Sequence, residues 1–571
     1  MNSEVLEIKI FHLNKKKTIN IKNYIEKNSI YLKNEFLKIS NKLEKIKIGN
    51  KSLYENFEVE NNHNLWEMSL IKEKSNLKSK SIYKVIIFLA LKKIINENKI
   101  DKIFFYNILF KKKIIHNLLK NEKIIFKFFD NQSSNSSIKF FLKSFFLIKF
   151  VYYLLLLIKK VFIELKYNNF KDTESNFLIL TYFAHFKREK KGKLLFKQFG
   201  KLPNILKKHF SLNTQYIFVP NKDNLTINSL PNSIKNNYSM LNGNLNFFGK
   251  IKIILKFFFY SFKFYFLKKV IFFKLNIINS NILNILSEDY DSSFYGPKFI
   301  ENLIWIEVFE NYFSKTKKKK YGIFLLENQA WEKAMVTSWK NYSHGEILAY
   351  TPTSVNFWHL YNFDYSKKNF SSPSKVLVSS KEGYNLLKYQ YKRKNIILKK
   401  VESLWFNYLL DIKKRNFINK NNLILIIGDY SPSINYSIFE LIENSNLKKI
   451  KDIYFKPHPH DTHKYNVKNI KVTNKDNEFF FKYSSIIISP GSTAAILEYL
   501  FFGKKVLIYD NPNDLDLSPL KHLNYQFKFK SVKDLNKLLK LNLNKKQIIN
   551  KFKNYYFLDK DLKKWKRFLY I

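Results

Sequence analysis

Two short segments have residue types and spacing that could do chemistry: Lys456-Pro457-His458-Pro459 and Ser489-Pro490-Gly491-Ser492-Thr493. Each follows a brief apolar run, Ile453–Phe455 or Ile486–Ile488, ended by Pro or Gly, as expected of buried parallel strands. Ala494–Phe502 then has helical length, with Gly503 at its C-terminal side. Ligands of such folds bind at the C-terminal ends of strands. The second segment also opens a helix, whose free backbone N–H groups and dipole favour an anion. The expectation is a phosphate site. His458 would donate to the phosphate as an imidazolium and Lys456 would add a point charge. Pro459, Gly491 and the hydroxyls and N–H groups of Ser492 and Thr493 would complete the cradle. The plainer alternative is a loop histidine locked between prolines. His458, His460 and His463 form a His-x-His-x-x-His pattern that suggests a metal, yet Asp461 is almost its only acidic neighbour, so no metal is expected. Glu498 either reaches a ribose or covers a solvated helix face.

The elements that position these residues follow from length and composition. A chain of 571 residues is too long for one core, and 46% hydrophobic residues can fill several. A formal charge of +54 would point to nucleic acid or an anionic membrane. Lys, Asn, Ile and Phe are all inflated, however, a drift favouring A/T-rich codons, and no Arg-rich helix or zinc spacing accompanies the charge. Nucleic acid is therefore not expected as a partner. The absence of Cys excludes disulfides, thiolate metal sites and a Cys nucleophile. The opening residues show no secretory signal, which makes cytoplasm the expected location.

Along the chain, residues 1–130 read as a small α/β unit, with a strand near Leu6–Leu13, a helix over Ile21–Lys47, and helix then strand over Val85–Tyr106. Trp66 is expected in a loop docked on that core. Residues 131–172 hold a Ser/Asn-rich linker and an apolar stretch, Lys139–Leu165. Its longest uncharged run, Phe150–Ile158, is too short to span a membrane. Phe247–Leu275 repeats the design. Both read as basic amphipathic helices that either lie in an anionic membrane interface or cover a core with snorkelling lysines. Strands are expected at Asn176–Phe183, Thr214–Pro220, Tyr321–Leu326, Glu346–Tyr350, Lys375–Val378 and Asn395–Leu398, with helices at Ile300–Phe313 and Glu382–Tyr391. Lys222–Asn246 reads as a surface loop and Lys317–Lys320 as a solvated turn. This alternation is that of a doubly wound sheet over 173–412, with 247–275 inserted. A second begins at Asn422–Ile427 and fills 413–571, ending in a Lys-rich helical tail from Val532.

Here the chain resembles GT-B glycosyltransferases of bacterial surface polysaccharide synthesis, and within them the surface carbohydrate biosynthesis protein family. Besides Lys456–Pro459 and the Ser/Thr-rich helix start, the matching stretches are Leu180–Phe183, Leu303–Glu310, Leu326–Glu332, Val355–Leu360, Val401–Leu404 and Asp514–Leu520. Gly49–Leu53 and Trp66 extend the likeness to the N-terminal unit. The fold implied is α/β, with two Rossmann-like lobes facing a cleft. The His-Pro element is similar to that of sialyltransferases, capsule Kdo transferases and glycerophosphotransferases, which implies a CMP-activated sugar donor and no other cofactor. The acceptor implied is a surface glycan or its lipid-linked precursor, with an anionic membrane surface as a further partner on the inner face of the plasma membrane. An inverting transfer needs a carboxylate base from the first lobe. Glu327, just past a strand and followed by two amides suited to sugar hydroxyls, is the first candidate; Asp291 and Glu332 follow. One departure stands out: where related enzymes often carry His-Ser or His-Gly, this chain has Thr351-Pro352-Thr353-Ser354. Two other readings remain open, a polyol-phosphate transferase of teichoic-acid type and a non-enzymatic membrane-surface scaffold.

Overall fold

The computed structural model describes residues 7–13, 15–76, 78–106, 112–119, 124–129, 146–164, 174–183, 186–188, 194–218, 239–275, 280–364, 369–412, 423–449, 452–459, 461–523, 525–542 and 544–571. The N-terminal unit is built on β1 (Glu7–His12), β2 (Lys15–Asn20), β3 (Lys102–Tyr106) and β4 (Ile125–Phe129), in the order β2-β1-β3-β4. Its helices are α1 (Ile21–Lys27), α2 (Ser29–Glu44) and α3 (Ser81–Glu97). The single helix expected over Ile21–Lys47 is thus two. Asn28 leaves helical geometry (φ −102°, ψ 20°) and its side-chain amide donates back to the Tyr24 carbonyl at 3.0 Å. Trp66 is buried and stacks near Phe294, consistent with a packing role.

The first lobe carries β5 (Phe177–Phe183), β6 (Leu212–Phe218), β7 (Ser239–Met240), β8 (Tyr321–Leu325), β9 (Glu346–Thr351), β10 (Lys375–Val378) and β11 (Ile397–Lys400). Every pairing is parallel, in the order β7-β6-β5-β8-β9-β10-β11. The helices associated with it are α4 (Phe146–Ile158), α5 (Phe247–Leu275), α6 (Ser280–Tyr295), α7 (Pro297–Ser314), α8 (Ala330–Asn341) and α9 (Lys381–Arg393). Most of the loop expected at Lys222–Asn246, and the linker at 131–137, lie outside the described residues. In the second lobe β12 (Leu423–Ile427), β13 (Ile453–Lys456), β14 (Lys471–Val472), β15 (Ser484–Pro490), β16 (Lys505–Tyr509) and β17 (Lys528–Phe529) are again all parallel, ordered β14-β13-β12-β15-β16-β17. They alternate with α10 (Pro432–Glu443), α11 (Asn477–Tyr483), α12 (Ile496–Phe501), α13 (Val532–Lys540), α14 (Lys545–Lys553) and α15 (Lys563–Leu569).

The fold is therefore α/β with two Rossmann-like lobes. In each sheet the strand order reverses once, between β5 and β8 and between β12 and β15. Loops leaving neighbouring strands diverge at such a point and open a crevice for ligands. The continuous apolar runs of these strands are what burial on both faces demands.

Several contacts among the described residues hold the lobes together, the chain ends supplying many of them. From α1, Lys22 reaches Asp510 and the Asn511 carbonyl, while Glu26 accepts from the Asp516 N–H at 2.9 Å, from Lys521, and from the Trp358 indole at 3.2 Å. The N-terminal unit thus straps the second lobe to the first. On the opposite side α15 returns to the first lobe, where Lys564 and Trp565 donate backbone N–H groups to Glu402 at 2.8 and 3.1 Å and the Trp565 ring packs on Tyr350.

The solvated turn expected at Lys317–Lys320 needs correction. Lys319 is buried, and its ammonium donates to the Ser175 carbonyl and hydroxyl at 3.1 and 2.9 Å, which locks the entry to β8 against the entry to β5. Within β8, Gly322 admits no side chain, because an added Cβ would stand 2.7 Å from the Trp339 ring and 2.8 Å from Ile347. Gly322→Ala is expected to lower stability by about 1–3 kcal/mol through overpacking. Urea unfolding reads this directly, and an unchanged midpoint would mean that the Trp339 contact is soft.

Candidate functional site

At the reversal point of the second lobe, Gly428 follows β12 where the chain runs close to β13: an added Cβ would stand 2.9 Å from the Phe455 ring and 3.2 Å from the His458 nitrogen. Asp429 is buried and organises the turn, accepting from the Ser431 N–H at 2.9 Å and donating its own N–H to Asn435 at 2.7 Å. Its second carboxylate oxygen accepts from the Ser492 hydroxyl at 2.5 Å. A narrow crevice lies here, lined among others by Asp429, Tyr430, Gly491, Ser492 and Asp514. Asp510 and Asp516 also line it but are paired, with Lys22 and with Lys528. Burial raises the pKa of Asp514, with Asp429 and Glu26 adding to the shift. The crevice is thus lined by four aspartates, Asp429, Asp510, Asp514 and Asp516.

The phosphate cradle expected from the sequence is built differently. The helix starts at Ile496, not Ala494, and has six residues. Ahead of it the Ala495 N–H is taken by the Thr493 hydroxyl at 3.2 Å. Lys456 turns its ammonium to the Lys475 carbonyl and to Asn477 on α11, at 2.9 and 2.7 Å. Asn477 donates in turn to Glu498 at 3.0 Å, and the Tyr408 hydroxyl donates to the same oxygen at 2.8 Å. Glu498 therefore does not cover a solvated face. Burial raises its pKa and lowers that of Lys456. His458 stands edge-on to Tyr430 with ring centres 6.4 Å apart, beside the crevice, and Pro459 is exposed at the turn. His463 pairs with the Tyr436 hydroxyl at 3.0 Å; His460 lies outside the described residues.

At the reversal point of the first lobe, Glu327 lies two residues past the end of β8. Its carboxylate accepts from the Tyr182 hydroxyl on neighbouring β5 at 3.0 Å and from Gln329 at 2.6 Å. Trp331 donates its indole N–H to Tyr182 at 3.0 Å, fixing the phenol. Burial raises the pKa of Glu327 while those two hydrogen bonds pull against it. Asn328 takes a left-handed conformation (φ 56°), and the loop it shapes is closed by Glu332, which accepts from the N–H groups of Glu327 and Asn328 at 2.8 and 3.0 Å. Burial, with Glu327 nearby, pushes Glu332 up to about 8. Glu332 thus shapes the loop that presents Glu327. The Asn328 amide is spent on the Glu73 carbonyl at 3.3 Å, whereas Gln329 remains beside Glu327. Asp291 is not brought to this place: it sits on α6 with Lys268, Tyr295 and Lys149 as partners.

The C-terminal loops of the two lobes touch. From the loop after β9, the Asn356 amide donates to the Leu517 carbonyl in the loop after β16 at 2.9 Å, so C-terminal strand ends of both sheets meet across one cleft. His359 lies in that loop too, paired with the Tyr361 hydroxyl at 3.0 Å and with Asn356 at 3.3 Å. Burial lowers it to about 4, so it is neutral at physiological pH. Sequence reasoning marks the loss of a histidine within Thr351–Ser354 and passes over this one, although it falls in the Val355–Leu360 stretch.

No family model matches the chain, and neither does any curated protein. Among solved structures it is similar to MurG of Acinetobacter baumannii, at 9% identity and TM-score 0.34 over 66% of this chain and 93% of that one. A UDP-forming α,α-trehalose-phosphate synthase from Burkholderia vietnamiensis matches at 7% identity and TM-score 0.36 over 69% of this chain and 99% of that one. The UDP-GlcNAc 2-epimerase from Neisseria meningitidis, bound to UDP-GlcNAc, matches at 13% identity and TM-score 0.34 over 66% and 90%. Likeness of this degree says nothing of what this chain binds or transfers.

Proposed function

We propose that the protein is a glycosyltransferase that moves a sugar from a CMP-activated donor onto a surface polysaccharide or its lipid-linked precursor, working at the inner face of the plasma membrane. The observation that carries the reading is the pair of strand-order reversals, with a held carboxylate at the first and an aspartate-lined crevice at the second, in lobes whose loops touch through Asn356 and Leu517. The first offers a carboxylate whose pKa is raised and whose orientation is held by Tyr182 and Gln329, as a general base for a sugar hydroxyl requires. The second offers Gly491 and Ser492 beside His458 for the nucleotide.

The acidity of the second crevice bears on the donor. With Asp429 bonded to Ser492 and Asp514 close by, a diphosphate would bring two negative charges against buried carboxylates. A CMP-linked sugar has one phosphate, which can face His458 while the sugar hydroxyls donate to the aspartates. Lys456, engaged by Asn477, acts here by fixing the turn that presents His458.

Isothermal titration with CMP, UDP and GDP tests this. CMP is expected to bind and UDP and GDP to bind at least about tenfold more weakly, the cost of a second phosphate near carboxylates. His458→Ala should abolish the CMP heat. Absence of binding by all three nucleotides would remove the donor site and favour the scaffold reading.

A further inference from the structure

Helices α4 and α5 pack antiparallel, since their ring contacts run in opposite order. Phe146 meets Tyr265, Phe150 meets Phe257 and Phe258, and Phe162, just past α4, meets Phe247. One face of α5, carrying Ile253, Phe257, Phe264 and Ile271, is buried in the core with α6 and α7. The sequence leaves open whether these helices cover a core or lie in a membrane interface; the structure buries one face of α5 in the core and leaves the other exposed. On the outward face Phe248, Ile251, Leu255, Phe259 and Phe266 recur at helical spacing, and Phe248, Leu255 and Phe259 are 79, 66 and 65% exposed. Leu147, Val151 and Leu155 continue the stripe on α4, with Leu147 at 65%.

An apolar surface of this extent on paired helices needs a partner, unlike scattered exposed side chains. The charge of the chain says which kind. A second copy would bring another formal +54 against this one, whereas an anionic lipid surface is complementary to it. Lys159, Lys263 and Lys269 are exposed around the stripe, placed to meet head groups. Among the described residues no helix is long and apolar enough to cross a membrane, so α4 and α5 would lie in the interface and not span it.

We propose that the outward face of α4 and α5 docks the protein on an anionic bilayer. The inference rests on the membrane-surface part of the reading above and not on the donor. Docked there, the first lobe would be the one carried on the membrane, where a lipid-linked acceptor could approach Glu327.

The test is sedimentation of the full chain with vesicles of phosphatidylcholine, with and without one-quarter phosphatidylglycerol. Binding is expected only with phosphatidylglycerol, weakening at high salt. L255E/F259E should reduce it by at least about tenfold, as charges placed in the apolar stripe must. L147S/L155S, a milder change on α4, should reduce it in the same direction if the first variant does not fold. No binding of the unaltered chain, or equal binding by folded variants, overturns the proposal. So does a dimer in gel filtration that L255E/F259E makes monomeric without changing vesicle binding, which would make the face a self-interface. Nucleotide titration of the same preparation separates the two readings: vesicle binding without binding of CMP, UDP or GDP leaves the docking face and removes the transferase, and the converse removes only the docking.

Discussion

Glu327→Gln is expected to lower the rate of sugar transfer by about 10²- to 10⁴-fold while leaving nucleotide affinity unchanged, the range that removal of a positioned general base produces. Gln keeps the shape and still accepts from Tyr182 and Gln329, so the loop should stand as it does now. The pH dependence supplies a second reading of the same group. A carboxylate base works only when deprotonated, and burial raises the pKa of Glu327. Activity should therefore fall, as pH is lowered, at a higher pH than an ordinary glutamate would give. The sign for stability is opposite to that of a salt-bridged carboxylate. A raised folded-state pKa means that the native protein holds this proton more tightly than the unfolded chain, so ionising Glu327 above that pKa costs stability. Glu327→Gln should then be as stable as the parent at neutral pH, or more so. Release of free nucleotide per transfer, measured across pH for both proteins, decides the matter; a Glu327→Gln enzyme within about threefold of the parent rate would dismiss Glu327 as the base.

The largest loss of stability is expected from Lys72→Met, about 3–5 kcal/mol by urea unfolding, the penalty for removing one partner from a buried ion cluster. Lys72 is 2% exposed and lies 2.7 Å from Glu44, 3.3 Å from Asp364 and 3.7 Å from Glu67. Burial opposes its charge, but Glu67, Asp364 and Glu44 outweigh that and raise its pKa. Without it Glu44 and Glu67 would lose their cation where water cannot replace it. Asp364 keeps Lys394 at 2.9 Å and Lys74 at 3.6 Å, which favours the lower end of the range. A loss below about 1 kcal/mol would mean that the two glutamates take up protons instead at little cost.

What could be read from sequence follows the physics of each element. Strands buried on both faces must be apolar throughout, so β5, β9, β12 and β13 stand out within a residue or two of their observed ends. Sheet order is set by how crossover helices pack, and no local pattern carries it. Glu327 was legible because a strand end is marked in the chain. Glu498 was not, because its partners Tyr408 and Asn477 lie 90 and 21 residues away. Asp429 hid for the same reason: in sequence it belongs to an ordinary Gly turn, and only the fold sets it against Ser492, 63 residues on. Lys319 hid among four lysines, since composition cannot say which of a charged run turns inward.

The strap from α1 has a mechanical consequence. The lobes are joined where α15 meets Glu402, where the Ser403 and Phe557 N–H groups donate to the Phe557 and Ser379 carbonyls, through Lys22 and Glu26, and where Asn356 meets Leu517. A body held at several separated points keeps no free rotation about a line through two of them. Opening the cleft like a book from a single spine would require breaking the Lys22–Asp510 pair, whose lysine is almost wholly buried. Motion that admits substrate without that cost must give way at a weaker joint, and the single Asn356–Leu517 hydrogen bond is the least costly of these to release.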